Sequence, residues 1–180
     1  MKQKSKVKTS DTAVLVIDML NDFVLDNAPL FVPGAKQIIP NIRAILDDAR
    51  SNAVPVVYLV DTHKHDDPEF RVWPAHAVKG TPGDEIVSEL APQKNDIIIR
   101  KTTYSGFYKT RLLKTLKKLR VKRLIITGVA TEICVQYTSA DAYMNGFIVD
   151  VPDNSTSALT TENKVFALNM IKNVLKPRQV

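Results

Sequence analysis

The chain has 180 residues, of which 44% are apolar and 24% are charged, as in ordinary water-soluble globular proteins. This length predicts a single domain over residues 11–180, preceded by a disordered basic tail at residues 1–10. No apolar run approaches the roughly 20 residues that cross a bilayer, and the first residues lack the apolar segment of a signal peptide. Because no segment could cross a bilayer, we expect no membrane partner. One cysteine excludes an internal disulfide, which suits a reducing compartment, so we expect a cytoplasmic protein.

The net charge of +6 suggests nucleic acid as a partner at first sight. Four of these charges belong to lysines within the first eight residues. A second basic cluster at 109–123 alternates with leucines at helical spacing, which is typical of the solvated face of an amphipathic helix. No aromatic residues interleave with these charges and no nucleic-acid-binding motif is present. We therefore expect no nucleic-acid partner.

Apolar periodicity alternates between strand and helix along the whole chain. It predicts strands at 12–17, 54–60, 96–99, 123–127 and 147–151, and helices at 35–50, 85–90, 109–123, 135–145 and 161–175. Pro40 lies inside the helix predicted at 35–50, where it opens or kinks the helix. In the last helix, Val165, Leu168 and Ile171 are the predicted core positions. The alternation predicts an α/β fold with a parallel sheet covered by helices on both faces.

Functional side chains follow the carboxyl ends of four predicted strands, where the sites of such folds lie. Asp18, Asp61 and Lys101 follow three strands, and the only cysteine, Cys134, lies in the turn after a fourth. Residues 61–84 form a long polar loop with three prolines and two glycines, and a loop of this length in a compact domain is usually functional. We therefore expect these strand ends, although distant in sequence, to converge on one crevice.

Cys134 is predicted in the first turn of a helix, where free N–H groups and the helix dipole favour a thiolate. A nucleophilic cysteine also needs a base, and no histidine lies near it in sequence. Asp18 can serve as that base, because burial beside an apolar strand raises the pKa of a carboxyl group. Lys101 can stabilise the thiolate and hold the carboxylate. Taken singly, each residue has a plainer explanation. Cys134 would suit a small buried side chain, Asp18 a helix or loop cap, and Lys101 a surface lysine after a strand.

Three segments of the chain resemble the signature segments of the isochorismatase-like cysteine hydrolases. They are Asp18-Met19-Leu20-Asn21-Asp22-Phe23, Lys101-Thr102-Thr103-Tyr104-Ser105-Gly106-Phe107 and Gly128-Val129-Ala130-Thr131-Glu132-Ile133-Cys134. The resemblance implies a three-layer α/β/α fold with a parallel six-stranded sheet, and a catalytic triad of Asp18, Lys101 and Cys134. Five strands are evident, and the sixth is expected as a short edge strand or within the final segment.

The resemblance also implies a cis peptide bond between Val129 and Ala130. It implies that the backbone N–H groups of Ala130 and Cys134 line an oxyanion hole.

Within that family, Asp61-Thr62-His63 and Trp73-Pro74-Ala75-His76 resemble the nicotinamidase branch. This implies a divalent metal ion held by Asp61, His63 and His76, with zinc, iron or manganese as the candidates. His65 is left as a fourth ligand or a solvated side chain. Phe23 and Trp73 are expected to sandwich the substrate ring, although core packing would also explain them.

These resemblances predict a cysteine-dependent amidase that hydrolyses a small carboxamide, nicotinamide to nicotinate and ammonia, through a thioester. A second enzyme hypothesis keeps the triad and changes the substrate to N-carbamoylsarcosine or a related ureido compound. A hypothesis of another class is a catalytically silent binding or scaffold protein. The family resemblance also implies a homodimer or homotetramer.

Overall fold

The computed structural model describes residues 11–176, and the predicted tail at 1–10 lies outside them. The strands are β1 (Thr12–Ile17), β2 (Val56–Asp61), β3 (Ile97–Lys101), β4 (Arg123–Val129), β5 (Ile148–Asp150) and β6 (Thr156–Ser157). The helices are α1 (Asn21–Val24), α2 (Ala35–Ser51), α3 (Leu112–Lys118), α4 (Gln136–Met144) and α5 (Thr161–Val174). A π-helical turn at Thr131–Val135 precedes α4. No helix in the described range is long and apolar enough to traverse a bilayer.

The six strands form one sheet in the order β3-β2-β1-β4-β5, and every pairing is parallel. The sixth strand is the short β6, which pairs with β4 at Gly128 and Val129, beyond the point where β5 ends. Two residues give too little periodicity for detection from sequence. The predicted parallel six-stranded α/β fold is confirmed.

Alternate residues of the central strands enter two separate apolar clusters, one on each face of the sheet. One face carries Val14, Val16 and Tyr58 against α2. The other carries Leu15, Ile17 and Leu59 against α3, α4 and α5. Because both faces are covered, the central strands are nearly continuous apolar runs, as parallel strands usually are.

Some predicted elements differ from the observed ones. The basic helix expected at 109–123 is only the seven-residue α3, because Lys109 and Arg120 take the left-handed conformation (φ +51° and +58°) and interrupt it at both ends. The helix expected at 85–90 is reduced to a 3₁₀ turn, Ser88–Leu90. In α5, Val165 is 55% exposed and is not a core residue, because the helix packs through Ala167 and Ile171.

Candidate active site

Asp18, Lys101 and Cys134 meet beyond the carboxyl ends of the strands. Lys101 Nζ lies 2.8 Å from Asp18 Oδ2. The same nitrogen lies 3.5 Å from Cys134 Sγ. All three residues are buried, with Asp18 and Lys101 at most 2% exposed and Cys134 at 7%. The three predicted members of the triad therefore form one contact group, although more than 110 residues separate the first from the last.

Strand register places these side chains. Ile17 is paired with Gly128 and Asp61 with Lys101, so the residues that follow β1 and β4 leave the sheet at the same level. Gly128 has φ +109°, and a Cβ there would overlap the backbone carbonyl of Ile17. Only glycine allows this approach of β4 to β1. The peptide bond that follows, between Val129 and Ala130, is cis.

Lys101 joins the cysteine to a second group of polar side chains. Its Nζ also lies 3.3 Å from Asp61 Oδ1. Asp61 donates its backbone N–H to Asp18 Oδ1 at 2.8 Å. Burial alone would lower the pKa of Lys101, but the charges of Asp18 and Asp61 raise it well above its ordinary value. The two carboxylates therefore favour the charged form of Lys101.

Cys134 does not have the lowered pKa that its position at a helix start suggests. Burial raises the pKa of the thiol well above its ordinary value, and the charges of Asp18 and Asp61 add to the effect of burial against that of Lys101. With both carboxylates ionised, the group around the sulfur carries one positive and two negative charges. Burial and the two carboxylates therefore oppose the helix dipole and Lys101, the two influences that favour a thiolate at this position.

Asp18 has the environment expected of a base. Burial raises its pKa above the ordinary 3.8, and Asp61 adds to this, while Lys101 opposes it. A carboxylate with a raised pKa accepts a proton more readily than one in water. The buried thiol and a more basic carboxylate next to the same ammonium group form a pair that can exchange one proton.

A second group beside the triad has the composition of a metal site. Asp61, His63, Glu69 and His76 each offer a ligand atom, and these atoms all lie within 4.8 Å of one another. His63 Nε2 lies 3.0 Å from Asp61 Oδ2, and His76 Nε2 lies 3.4 Å from the same oxygen. Two imidazoles with two carboxylates form a donor set that suits zinc, iron or manganese.

The protonation pattern of this group also suits a cation. His76 Nδ1 lies 2.7 Å from the carbonyl oxygen of Pro74, which can only accept, so Nδ1 carries a proton and Nε2 is the nitrogen that can face a cation. Asp61 Oδ1 and both ring nitrogens of His63 are buried without a well-directed hydrogen bond among the described residues. Burial alone would lower the pKa of His63, but Asp61 raises it to about 9, which shows that the field here favours positive charge.

Sequence reasoning missed Glu69 and left His65 open. His65 is exposed and lies outside the group, whereas Glu69 belongs to it. The missed signal was Asp67-Pro68: Asp67 caps a 3₁₀ turn over Pro68–Arg71 by accepting the N–H of Glu69, and this turn directs the chain back toward Asp61. The second oxygen of Asp67 lies 3.1 Å from His63 Nδ1.

A small cleft opens over Cys134, with a volume of about 410 Å³ including its mouth. Its walls are mostly apolar, and they include both predicted ring-binding residues, Phe23 and Trp73. Asp61, Glu69 and His76 form its polar side, and Ala130 adjoins the cysteine. Tyr104, which sequence reasoning did not single out, lines the cleft and accepts the indole N–H of Trp73 at 3.1 Å. The cleft thus places an apolar slot between the thiol and the cluster of Asp61, His63, Glu69 and His76, which we call the metal-type group.

Comparison with known proteins agrees with this geometry. The Isochorismatase domain family matches residues 12–178. The crystal structure of an isochorismatase-like hydrolase from Alkaliphilus metalliredigens is 38% identical, covers 93% of each chain and superposes with a TM-score of 0.89. The nicotinamidase of Bacillus subtilis is 33% identical, with a TM-score of 0.87 over 92% of this chain and 97% of that one.

Other similar proteins differ in the substrates that their names state. A pyrazinamidase of Pyrococcus horikoshii in complex with zinc is 34% identical, with a TM-score of 0.86 over 91% and 95% of the two chains. The N-carbamoylsarcosine amidase of Thermoplasma acidophilum is 30% identical, with a TM-score of 0.84 over 94% and 98%. The ureidoacrylate amidohydrolase of Agrobacterium fabrum is 34% identical over 76% of this chain and 72% of its own length.

The family match covers nearly the whole chain, and several of the similar proteins carry the names of hydrolases of carbon–nitrogen bonds. The same chain brings an aspartate, a lysine and a cysteine together beneath an apolar cleft. We conclude that this protein belongs to the isochorismatase family, as a cysteine hydrolase.

Proposed function

We propose that the protein is an amidase of the nicotinamidase type, which hydrolyses a small, uncharged aromatic carboxamide to the acid and ammonia. The observation that carries this proposal is the cleft, in which a thiol and a metal-type group lie on one apolar slot. Phe23 and Trp73 line this slot as expected for residues that hold a flat ring. The triad supports hydrolysis of an amide, and the slot with its polar side supports an aromatic carboxamide as the substrate.

In the proposed reaction, Asp18 takes the thiol proton as Cys134 Sγ attacks the carboxamide carbon. The carbon–nitrogen bond then breaks, Asp18 returns the proton to the leaving nitrogen, and ammonia departs from a thioester. Asp18 next takes a proton from water, which attacks the thioester carbon and releases the acid, and the proton returns to the sulfur. Lys101 keeps its charge throughout and holds Asp18. The backbone N–H groups of Ala130 and Cys134 are the proposed donors to the oxyanion.

Asp61, His63 and His76, with Glu69 as a fourth group, would hold a divalent ion. Such an ion would supply a Lewis acid that can bind a ring nitrogen of the substrate. Its two positive charges are matched by the carboxylates of Asp61 and Glu69, so the group has no net charge left to attract an anion. A neutral pyridine carboxamide fits this balance.

The charge of the cleft argues against the ureido alternative. N-carbamoylsarcosine carries a carboxylate, which needs a cationic partner when it is buried. Among the described residues, no lysine or arginine lines the cleft, and Lys101 beneath it already contacts Asp18 and Asp61. The catalytically silent alternative is disfavoured by the complete triad, since a binding protein has no need of a buried base beside a buried thiol.

A panel of amides with ammonia detection tests the proposal. We expect nicotinamide to be turned over and N-carbamoylsarcosine to be turned over much more slowly, and a chelator to remove about one divalent ion per chain together with nicotinamide hydrolysis. His76→Ala should raise KM for nicotinamide more than it changes kcat, because it weakens substrate binding. His65→Ala is the matched control, since it removes an exposed imidazole of the same loop, and it should behave as wild type.

The outcomes separate the parts of the proposal. Wild-type kinetics in the His76→Ala variant, with no metal bound under replete conditions, would overturn the nicotinamidase assignment and leave a triad hydrolase for another amide. Absence of turnover for every amide and ureide in the panel would overturn the amidase proposal as a whole.

A further inference from the structure

Asp22 lies outside the triad and outside the metal-type group, yet its carboxylate contacts the loop that carries three of the proposed ligands, His63, Glu69 and His76. It belongs to α1, immediately before the cleft residue Phe23. Its Oδ2 accepts the backbone N–H of Ala77 at 2.8 Å. Ala77 directly follows His76 and is fully buried. The carboxylate therefore fixes the backbone beside one imidazole from a different part of the chain.

Ala77 also fixes the other imidazole. Its carbonyl accepts the N–H of His63 at 2.9 Å, and the carbonyl of His63 accepts the N–H of Lys79 at 2.9 Å. Both backbone groups of Ala77 are therefore used, one toward Asp22 and one toward His63. Ala77 adopts φ +46°, a conformation that non-glycine residues seldom take unless the surroundings impose it. Ala77 therefore links the backbone at His63 to the backbone at His76, and the centroids of the two imidazoles lie 4.7 Å apart.

The loop leaves room for the Asp22 carboxylate at one further point. Gly83 lies against it so closely that a Cβ at this position would overlap the carboxylate atoms. Gly83 has no positive φ, so close approach, and not backbone conformation, explains the glycine. The carboxylate is therefore held between the N–H of Ala77 and the backbone of Gly83.

We infer that Asp22 is a positioning residue for the metal centre: it holds Ala77 so that His63 and His76 present their nitrogens to one ion. This rests on the proposed metal binding. Residues that orient metal ligands typically contribute 10–100-fold to metal affinity without touching the ion. The inference therefore concerns metal affinity first and turnover only as a consequence.

Titration of the metal-free protein with Co²⁺, followed by its visible absorption and by competition with a chromophoric chelator, tests this role. Asp22→Ala should weaken Co²⁺ binding roughly 10–100-fold and alter the absorption bands, because the histidines lose their spacing. Asp22→Asn should lose less, because its amide oxygen can still accept the N–H of Ala77. Gly83→Ala keeps the carboxylate but pushes it aside, so it should weaken Co²⁺ binding as Asp22→Ala does.

Two control variants separate positioning from general support of the loop. Asn21→Ala removes a neighbouring anchor, the hydrogen bond from Asn21 Nδ2 to the carbonyl of Pro82 at 2.8 Å, without touching Ala77. It should lower the melting temperature while leaving Co²⁺ affinity within about twofold. Asp26→Ala removes an exposed carboxylate after α1 that pairs with Lys36, and it should leave both quantities unchanged.

The results distinguish this inference from the proposal on which it rests. If wild type binds Co²⁺ and Asp22→Ala binds it equally well, or if Asn21→Ala weakens binding as much as Asp22→Ala does, Asp22 has no positioning role. If wild type binds no Co²⁺, the metal centre itself is overturned and the inference with it.

Discussion

Two ionic groups lie at opposite ends of the parallel strands and differ in how their charges are balanced. We call the side of the sheet where the strands end its carboxyl edge, and the side where they begin its amino edge. At the carboxyl edge, Lys101 contacts Asp18 and Asp61 at 2.8 Å and 3.3 Å, and the thiol of Cys134 lies beside them. At the other edge, Arg50 contacts Asp96 at 2.6 Å. The first group combines one positive and two negative charges, whereas the second pairs one of each.

The neighbours of the two groups differ as well. At the amino edge, Tyr58 donates to the carbonyl of Leu90 at 2.8 Å and accepts from Arg50 at 3.2 Å, while Asp96 also accepts the N–H of Gln93. At the carboxyl edge, Asp18 Oδ2 and Asp61 Oδ1 lack a well-directed hydrogen bond among the described residues. One group therefore ties α2, β2 and the start of β3 together, whereas these carboxylate oxygens of the other group rely on the ion pairs with Lys101.

The largest expected effect comes from removing the nucleophile. Cys134→Ala should lower kcat/KM by at least about 10⁴-fold, because without the sulfur no thioester forms. The fold should remain, as judged by circular dichroism and the melting temperature, since alanine fills most of the same site. Substantial activity in this variant would remove Cys134 from the mechanism.

Removing the shared cation should affect both stability and activity. Lys101→Ala leaves two buried carboxylates without their counter-charge, and we expect the free energy of unfolding to fall by about 3–5 kcal/mol with loss of turnover. Urea denaturation with an amidase assay measures both. An active variant of wild-type stability would show that the lysine is not needed to hold Asp18.

The amino-edge pair should affect stability alone. Arg50→Met leaves the Asp96 carboxylate, 5% exposed, without its counter-charge, and should cost about 3 kcal/mol of unfolding free energy. Asp96→Asn should cost less, about 1–2 kcal/mol, because the Arg50 side chain is 18% exposed and can be hydrated. In both variants kcat/KM should stay within about twofold of wild type. A large kinetic loss without destabilisation would show that the two edges are coupled.

The smallest effect is confined to alkaline pH. Burial raises the pKa of Tyr58 to about 12, from an ordinary value of 10.0. Between these values the folded chain binds a proton that the unfolded chain has lost, so the free energy of unfolding should fall as pH rises from 10 to 12. Tyr58→Phe should remove this part of the pH dependence while other alkaline effects remain. An unchanged slope in that variant would place the titrating group elsewhere.

Much of the architecture was readable from local pattern. The strand at 12–17 was predicted with the bounds of β1, and the order of the strands and main helices is as expected. The residues at the strand ends were named because parallel strands end at one edge. The pattern failed where an element is too short for a period, as in β6, or where isolated left-handed residues end a helix, as in α3. The rotation of α5 was also unreadable, since apolar residues occur on several of its sides.

The sequence by itself determined the parallel α/β fold and the polar side chains at the strand ends, because these depend on local periodicity and on strand ends that must converge. The family resemblance, and not periodicity, singled out Asp18, Lys101 and Cys134 among them as the expected triad. Only the tertiary structure decided that Glu69 joins the metal-type group, that Asp22 reaches Ala77, and that burial and two carboxylates raise the pKa of the Cys134 thiol. Each of these depends on distances between segments remote in the chain and on the summed charge of a buried group. A pKa is set by that sum and by burial, neither of which exists until the chain has folded.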